Sequence, residues 1–265
     1  MVNGYEWKYI YGPVYSWRLG RSLGIDLLSQ KEKICNFNCI YCQIGNTENY
    51  CTRRKIFVPT EKILDEVKRF PDVEIDYITF SGRGEPTLAK NLGEVIERVK
   101  KLRKNKIAVI TNSSLIHKQT VRKELALADT VMAKCDVSCD IVLKKINKPA
   151  PMIVCENIVE GLTAFRRMFD GELKLQIMFV HANMDTVHDM ISLVRLISPA
   201  SVEINTPLRP SHEKSLDKEK IMDIKTEFKV LEKDGIKILS VYDQPLKKMT
   251  AVDRYNTLIR RGKEV

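Results

Sequence analysis

One recurring unit, a short apolar run followed by a longer stretch of helical period, limits most how this chain can fold. From residue 23 it returns about every 30 residues, as βα units do. Strands are predicted at LGIDLL (23–28), DYITF (76–80), KIAVIT (106–111), TVMAKCD (130–136), KLQIMFV (174–180) and SVEINT (201–206). In the first helical segment Thr60, after Pro59, is a ready N-cap, and Ile63, Leu64 and Val67 fall on one face with charges opposite. Leu88 to Leu102, Lys118 to Leu127, Val154 to Phe169, Thr186 to Leu196 and Lys218 to Leu231 repeat the pattern. Successive βα units call for a parallel sheet with right-handed crossovers, either a curved, incomplete barrel or an open doubly wound sheet. The expected fold is α/β, a partial (β/α)6 TIM-like barrel.

A chain of 265 residues that is 44% hydrophobic can bury one sizeable core. No Gly/Pro-rich linker divides it, so residues 23–265 are expected to form a single domain with a C-terminal extension. Residues 1–22 differ in kind. Tyr5, Trp7, Tyr9, Tyr11, Tyr15 and Trp17 share this arm with Gly12, Pro13, Arg18, Gly20 and Arg21, and it is expected to pack on the barrel as an irregular cover. The chain has no apolar run of about 18 residues, and its start lacks the basic and apolar stretches of a secretory signal. A cytoplasmic protein without membrane contact is expected. The net charge of +10 draws phosphate-rich partners, although charges spread along helices are commonly solvated faces.

Seven cysteines (35, 39, 42, 51, 135, 139, 155) occur in a chain too large to need disulfide staples, and three crowd into ICNFNCIYCQIG. That pattern favours metal or catalysis. Thiolates select iron–sulfur clusters or zinc, and zinc would want a fourth Cys or a His at local spacing. The histidines (117, 181, 188, 212) are distant in sequence. Three ligands leave one iron of a cubane open, as a catalytic metal site requires. The other four cysteines are expected as small buried hydrophobes, the alternative being ligands of an auxiliary cluster.

In parallel βα architectures the functional loops lie beyond the carboxyl ends of the strands. After the second strand comes Ser81-Gly82-Arg83-Gly84-Glu85-Pro86-Thr87, whose glycines permit close backbone approach and whose Glu85 offers an acceptor to an ammonium group. Thr111-Asn112-Ser113-Ser114 supplies hydroxyls and an amide after the third. Lys134 and Asp136 share one face of the fourth, with Cys135 opposite, and a polar cavity is expected there ahead of a mutual ion pair. Arg209, after the sixth, can bind an anionic group.

Cys35-x3-Cys39-x2-Cys42, with Tyr41 before the last Cys, resembles the signature of the radical SAM superfamily. The resemblance implies a 4Fe-4S cluster on these cysteines and S-adenosyl-L-methionine (SAM) at its open iron. It also implies a reductant such as flavodoxin or ferredoxin, and a 5′-deoxyadenosyl radical that abstracts hydrogen from substrate. The segment with Gly82, Gly84 and Glu85 resembles the "GGE" segment that holds the SAM amino group, with Arg83 where a smaller residue is usual. Asn112 and Ser114 stand where the family commonly reads "TNG", beside the SAM ribose and carboxylate. YGPVYSWRLGRSLGIDLL, SGRGEPTL, MAKCD, KKINKP and INTPLRP resemble, in order, iron–sulfur oxidoreductases related to 4-demethylwyosine synthase of tRNA wyosine biosynthesis. No Cys precedes Cys35, where that synthase carries a further set, and Lys134 is one candidate for its catalytic lysine. The expected substrate bears phosphate, a tRNA base being the first case, with Arg18, Arg21 and Arg209 as anion binders near the open end of the barrel. A small phosphorylated metabolite or a peptide is the alternative substrate. A non-catalytic iron–sulfur carrier and a zinc-binding nucleic-acid module are the alternative functions.

Overall fold

In the computed structural model, which describes residues 6–209, 211–243 and 249–261, eight strands form one sheet in chain order. They are β1 (Ile10–Ser16), β2 (Gly20–Ile25), β3 (Tyr77–Phe80), β4 (Lys106–Thr111), β5 (Thr130–Lys134), β6 (Glu172–Met178), β7 (Ser201–Asn205) and β8 (Lys237–Ser240). β2 to β8 pair in parallel, and β1 runs antiparallel to β2 at one edge. A doubly wound sheet would reverse its strand order partway. This one does not.

Alternation gives the sheet two unlike faces. Leu23, Ile25, Ile78, Phe80, Ile107, Val109, Val131, Leu175, Val202 and Ile204 enter the main core. There they meet α1 (Thr60–Arg69), α2 (Leu92–Leu102), α3 (Gln119–Leu125), α5 (Cys155–Met168), α6 (Val187–Ile197) and α7 (Lys218–Phe228). Two further helices among the described residues are α4 (Asp140–Ile146) and α8 (Arg254–Arg260). The intervening strand residues line the concave side. The sheet curls strongly enough for Leu19, in the β1–β2 turn, to pack on Ala108 of β4 and Met132 of β5. It stays open between β1 and β8. Residues after β8 bridge that gap, with Val252 N donating to Gly12 O at 2.8 Å and Gly12 N to Thr257 Oγ1 at 2.9 Å. No helix among the described residues is long and apolar enough to cross a membrane.

Three expectations change. The arm is a strand, not an irregular cover: β1 tolerates Pro13 because it is an edge strand whose register shifts between Tyr11 and Val14. Thr60 is the first helical residue and caps nothing; its hydroxyl donates to Glu94 at 3.0 Å. Arg21 lies at the amino ends of the strands, away from the functional loops, because β1 turns back into β2 there, and its side chain is taken by Asp76 and Glu74. Tyr5 and Pro210 fall outside the described residues.

The arm is anchored by a residue that looks like part of a solvated helix face. Glu66 of α1 is 2% exposed, and its carboxylate accepts from the backbone N–H groups of Lys8 (2.7 Å), Tyr9 (2.8 Å) and Ile10 (3.0 Å). Removing it leaves buried donors unsatisfied, so Glu66→Ala is expected to cost about 3 kcal/mol. Thermal denaturation should show a Tm lower by roughly 6 to 12 °C. Glu66→Gln, which still presents a carbonyl acceptor, should lose less; equal stability of wild type and Glu66→Ala would remove this anchor from the account.

Candidate metal centre

The loop after β2 carries the three clustered cysteines across the carboxyl ends of β3, β4 and β5, and backbone pairing holds it there. Ile34 N donates to Arg83 O and Glu85 N to Ile34 O, both at 3.0 Å, so the residue before Cys35 is paired with the segment after β3. Farther on, Asn38 N donates to Asn147 O and Ile40 N to Ile146 O at 3.0 Å, and Ala150 N donates to Asn36 O at 2.8 Å. These bonds tie the cysteine loop to the end of α4.

Gly84 makes the first pairing possible, because a Cβ there would sit on the Ile34 carbonyl oxygen. At Gly82 a Cβ would strike the buried carboxylate of Asp26. The close approach expected of these glycines is an approach of the protein's own loop. Glu85 is buried, and its carboxylate accepts from Thr87 N (3.0 Å), Thr87 Oγ1, Thr111 Oγ1 and Asn112 N (2.6 Å each). Four donors nearly fill the lone pairs of one carboxylate, so Glu85 joins the ends of β3 and β4. Asn112 Nδ2 donates to Asn36 Oδ1 at 2.8 Å, and Asn36 Nδ2 to Ser114 Oγ at 2.8 Å. Asn112 and Ser114 thus meet the cysteine loop through a residue lying between two of the cysteines.

Each clustered sulfur faces a nitrogen donor: Cys35 has Asn112 Nδ2 at 3.8 Å, Cys39 has Asn147 Nδ2 at 3.4 Å and Cys42 has Lys33 Nζ at 3.2 Å. Burial pushes the Cys35 thiol up to about 12 and raises that of Cys39. Buried thiols of this kind are inert until a metal's charge favours the thiolate. Among the described residues no three His, Cys, Asp or Glu stand close enough to share one ion. In a cubane each cysteine ligates a separate iron. The donor set fits a 4Fe-4S cluster, with hydrogen bonds to its sulfurs.

Tyr41 is buried, its hydroxyl donates to Asp136, and Asn147 Nδ2 reaches both, at 2.9 and 2.8 Å. Lys134 Nζ lies 3.6 Å from Asp136 Oδ2 and 4.4 Å from the centre of the Tyr41 ring. The two charges therefore pair with each other while also lining a small cavity with Asn112, Asn147 and Phe37. Arg209 Nη1 donates to Gln43 Oε1 at 2.7 Å, next to Cys42. Cys135 and Cys155 are buried and Cys51 partly so, as small hydrophobes are, but Cys139, at the N-cap position of α4 with no side-chain cap hydrogen bond, is exposed. Lys33, Asn36, Asn147 and Gln43 were not singled out from the sequence. Only the run of asparagines around Cys35 and Cys39 hinted at them.

The family model of the radical SAM superfamily matches residues 33–194. UPF0026 protein slr1464 of Synechocystis is 45% identical over 202 residues, 76% of each chain. SuiB of Streptococcus suis, solved with bound S-adenosylmethionine, superimposes with a TM-score of 0.60 at 14% identity, over 79% of this chain and 48% of SuiB. Archaeal TYW1 gives 0.58 at 15% identity, over 79% and 72%. These structural likenesses are likenesses of fold.

The pairing across Gly84 should be needed to load the cluster. Gly84→Ala is expected to hold less than about half the wild-type iron after anaerobic reconstitution, because the loop must shift away from β3. Iron analysis and visible absorption check this, and full loading would mean that the loop is positioned without Gly84.

Proposed function

Because this chain belongs to the radical SAM superfamily, we propose that it cleaves SAM reductively and abstracts hydrogen from a phosphate-bearing substrate, a tRNA base being the first case. A bound 4Fe-4S cluster with SAM supplies electron transfer into SAM, releasing methionine and a 5′-deoxyadenosyl radical. Cys35, Cys39 and Cys42 hold the cluster. Lys33, Asn112 and Asn147 donate to their sulfurs and so stabilise the thiolate form. The observation that carries this reading is the cysteine loop fixed across the ends of β3, β4 and β5, with a donor at each sulfur.

SAM falls to the segments beside that loop: the backbone around Gly82 and Gly84, and the residues Tyr41, Glu85, Asn112 and Ser114. Glu85 contributes by holding Asn112 and Thr111 in place. Lys134, held by Asp136 and the Tyr41 ring, and Arg209, held by Gln43, flank the side from which substrate approaches. The net charge of +10 and the resemblance of the ordered motifs to the wyosine group support RNA. A reductant such as flavodoxin or ferredoxin completes the reaction.

Cys35→Ala, Cys39→Ala and Cys42→Ala are each expected to abolish 5′-deoxyadenosine formation, since losing one protein ligand exposes a second iron. Cys51→Ala, Cys135→Ala, Cys139→Ala and Cys155→Ala should keep about four irons per chain. Product analysis by chromatography decides: turnover in any of the first three variants would falsify the ligand assignment. For the substrate, RNA held through several phosphates should bind about a thousand-fold more weakly when salt rises from about 50 to 200 mM. Filter binding of tRNA reads this, and no binding at the lower salt would reject RNA in favour of a small phosphorylated molecule.

A further inference from the structure

The concave face carries a polar row that the SAM chemistry leaves unused. Register sets Lys134 of β5 beside Gln176 of β6, and Gln176 beside Glu203 of β7. Glu203 is fully buried. Arg18 reaches it from the β1–β2 turn, with Nη1 3.8 Å from Oε2, too long for a hydrogen bond. Among the described residues neither carboxylate oxygen of Glu203 has a hydrogen-bond partner, nor have Nε and Nη1 of Arg18, and all four atoms are buried. Buried polar groups are nearly always satisfied. Four orphan atoms about one space mark a place where another molecule supplies the bonds.

Arg209, bonded to Gln43 beside the cluster loop, lies near enough to Arg18 to feel its charge. Burial, with the charges of Arg261 and Arg18 nearby, pushes Arg209 down to about 10, and burial lowers Arg261 as well. Arg18 thus has Arg209 within range of its charge on one side and Glu203 on the other, and Glu203 also feels Lys174 and Glu172. A guanidinium donates to phosphate or carboxylate as a planar fork, which an ammonium cannot do.

We infer that Arg18 and Arg209 hold the oxyanion of the substrate inside the barrel, and that Glu203 bonds a neighbouring hydroxyl or amino group of the same molecule. The site deepens the radical SAM reading, on which its role in turnover rests. It fixes the acidic end of a substrate whose other end lies along the row toward Lys134.

Trp17 provides a reporter, its ring centre 5.8 Å from the Arg18 guanidinium carbon. Cluster-loaded enzyme is titrated with inorganic phosphate and separately with acetate, following tryptophan emission against a Trp17→Phe control. A saturable change is expected, and the anion that saturates at lower concentration identifies the class. Arg18→Gln, Arg18→Lys and Arg209→Gln should each need at least about ten-fold more anion, with melting curves confirming that they are folded. Arg21→Gln, whose side chain pairs outside the barrel, should titrate as wild type. No saturable response to either anion, or an unshifted titration of Arg209→Gln, overturns the site. Formation of 5′-deoxyadenosine by the same wild-type preparation tests the radical reading independently, so failure of one is distinguishable from failure of the other.

Discussion

Two backbone hydrogen bonds across Gly84, from Ile34 N to Arg83 O and from Glu85 N to Ile34 O, are what the rest of the site depends on. A loop lying over the ends of a parallel sheet must satisfy its own N–H and C=O groups, because no ladder is available to it there. Here the neighbouring loops serve as the ladder. Once Ile34 is fixed, Asn36 falls against Asn112 and Ser114 after β4, and Asn38 and Ile40 against the end of α4. This works because β2, β3, β4 and β5 are adjacent in space in the order of the chain. A single excursion after β2 can cross all their carboxyl ends. The sulfurs are thereby placed beside their nitrogen donors, and such placement is what a ligand shell requires.

How much of this was legible in the sequence depended on how local each signal was. The strands expected between residues 23 and 206 exist within a few residues of their expected bounds, since their apolar runs are set by burial under helices. β1 escaped because Gly12 and Pro13 interrupt it, and β8 because a run of four residues carries little periodicity. Cys35, Cys39, Cys42, Glu85, Asn112 and Lys134 drew notice because their chemistry is distinctive at those spacings. Asn36 and Asn147 did not. An asparagine's role lies in its partner, here 76 residues away for the Asn36 bond to Asn112 and 108 for that of Asn147 to Cys39. Glu66 reads like its solvated neighbours on α1, and only the return of the arm makes it a buried acceptor. The same return reversed the place of Arg21, since an arm that becomes an antiparallel strand brings its turn to the amino ends.

The two faces of the sheet divide stability from chemistry. Beneath the helices the strands present Ile, Val, Leu and Phe, whose burial is the dominant favourable contribution in a chain of this size. The concave side instead carries Lys134, Gln176 and Glu203 in one row, an arrangement that costs stability through desolvation. Only a well-packed outer face can offset it. What is gained is a set of charges already oriented, which need not reorganise when a reaction develops charge among them.

This division also changes what the positive charge of the chain means. Some basic side chains are paired on the outer surface: Arg21 with Asp76, Arg98 with Glu61 and Lys100 with Asp129. Exposed pairs of this sort are screened within about 10 Å at ordinary ionic strength, so they steer a partner but select none. Arg18 lies inside, where screening is weak and its one acidic neighbour stands beyond hydrogen-bonding distance. A charge that selects must be both desolvated and incompletely satisfied. Arg18, rather than the net charge, meets that condition, and it does so because the β1–β2 turn folds into the concavity instead of covering it.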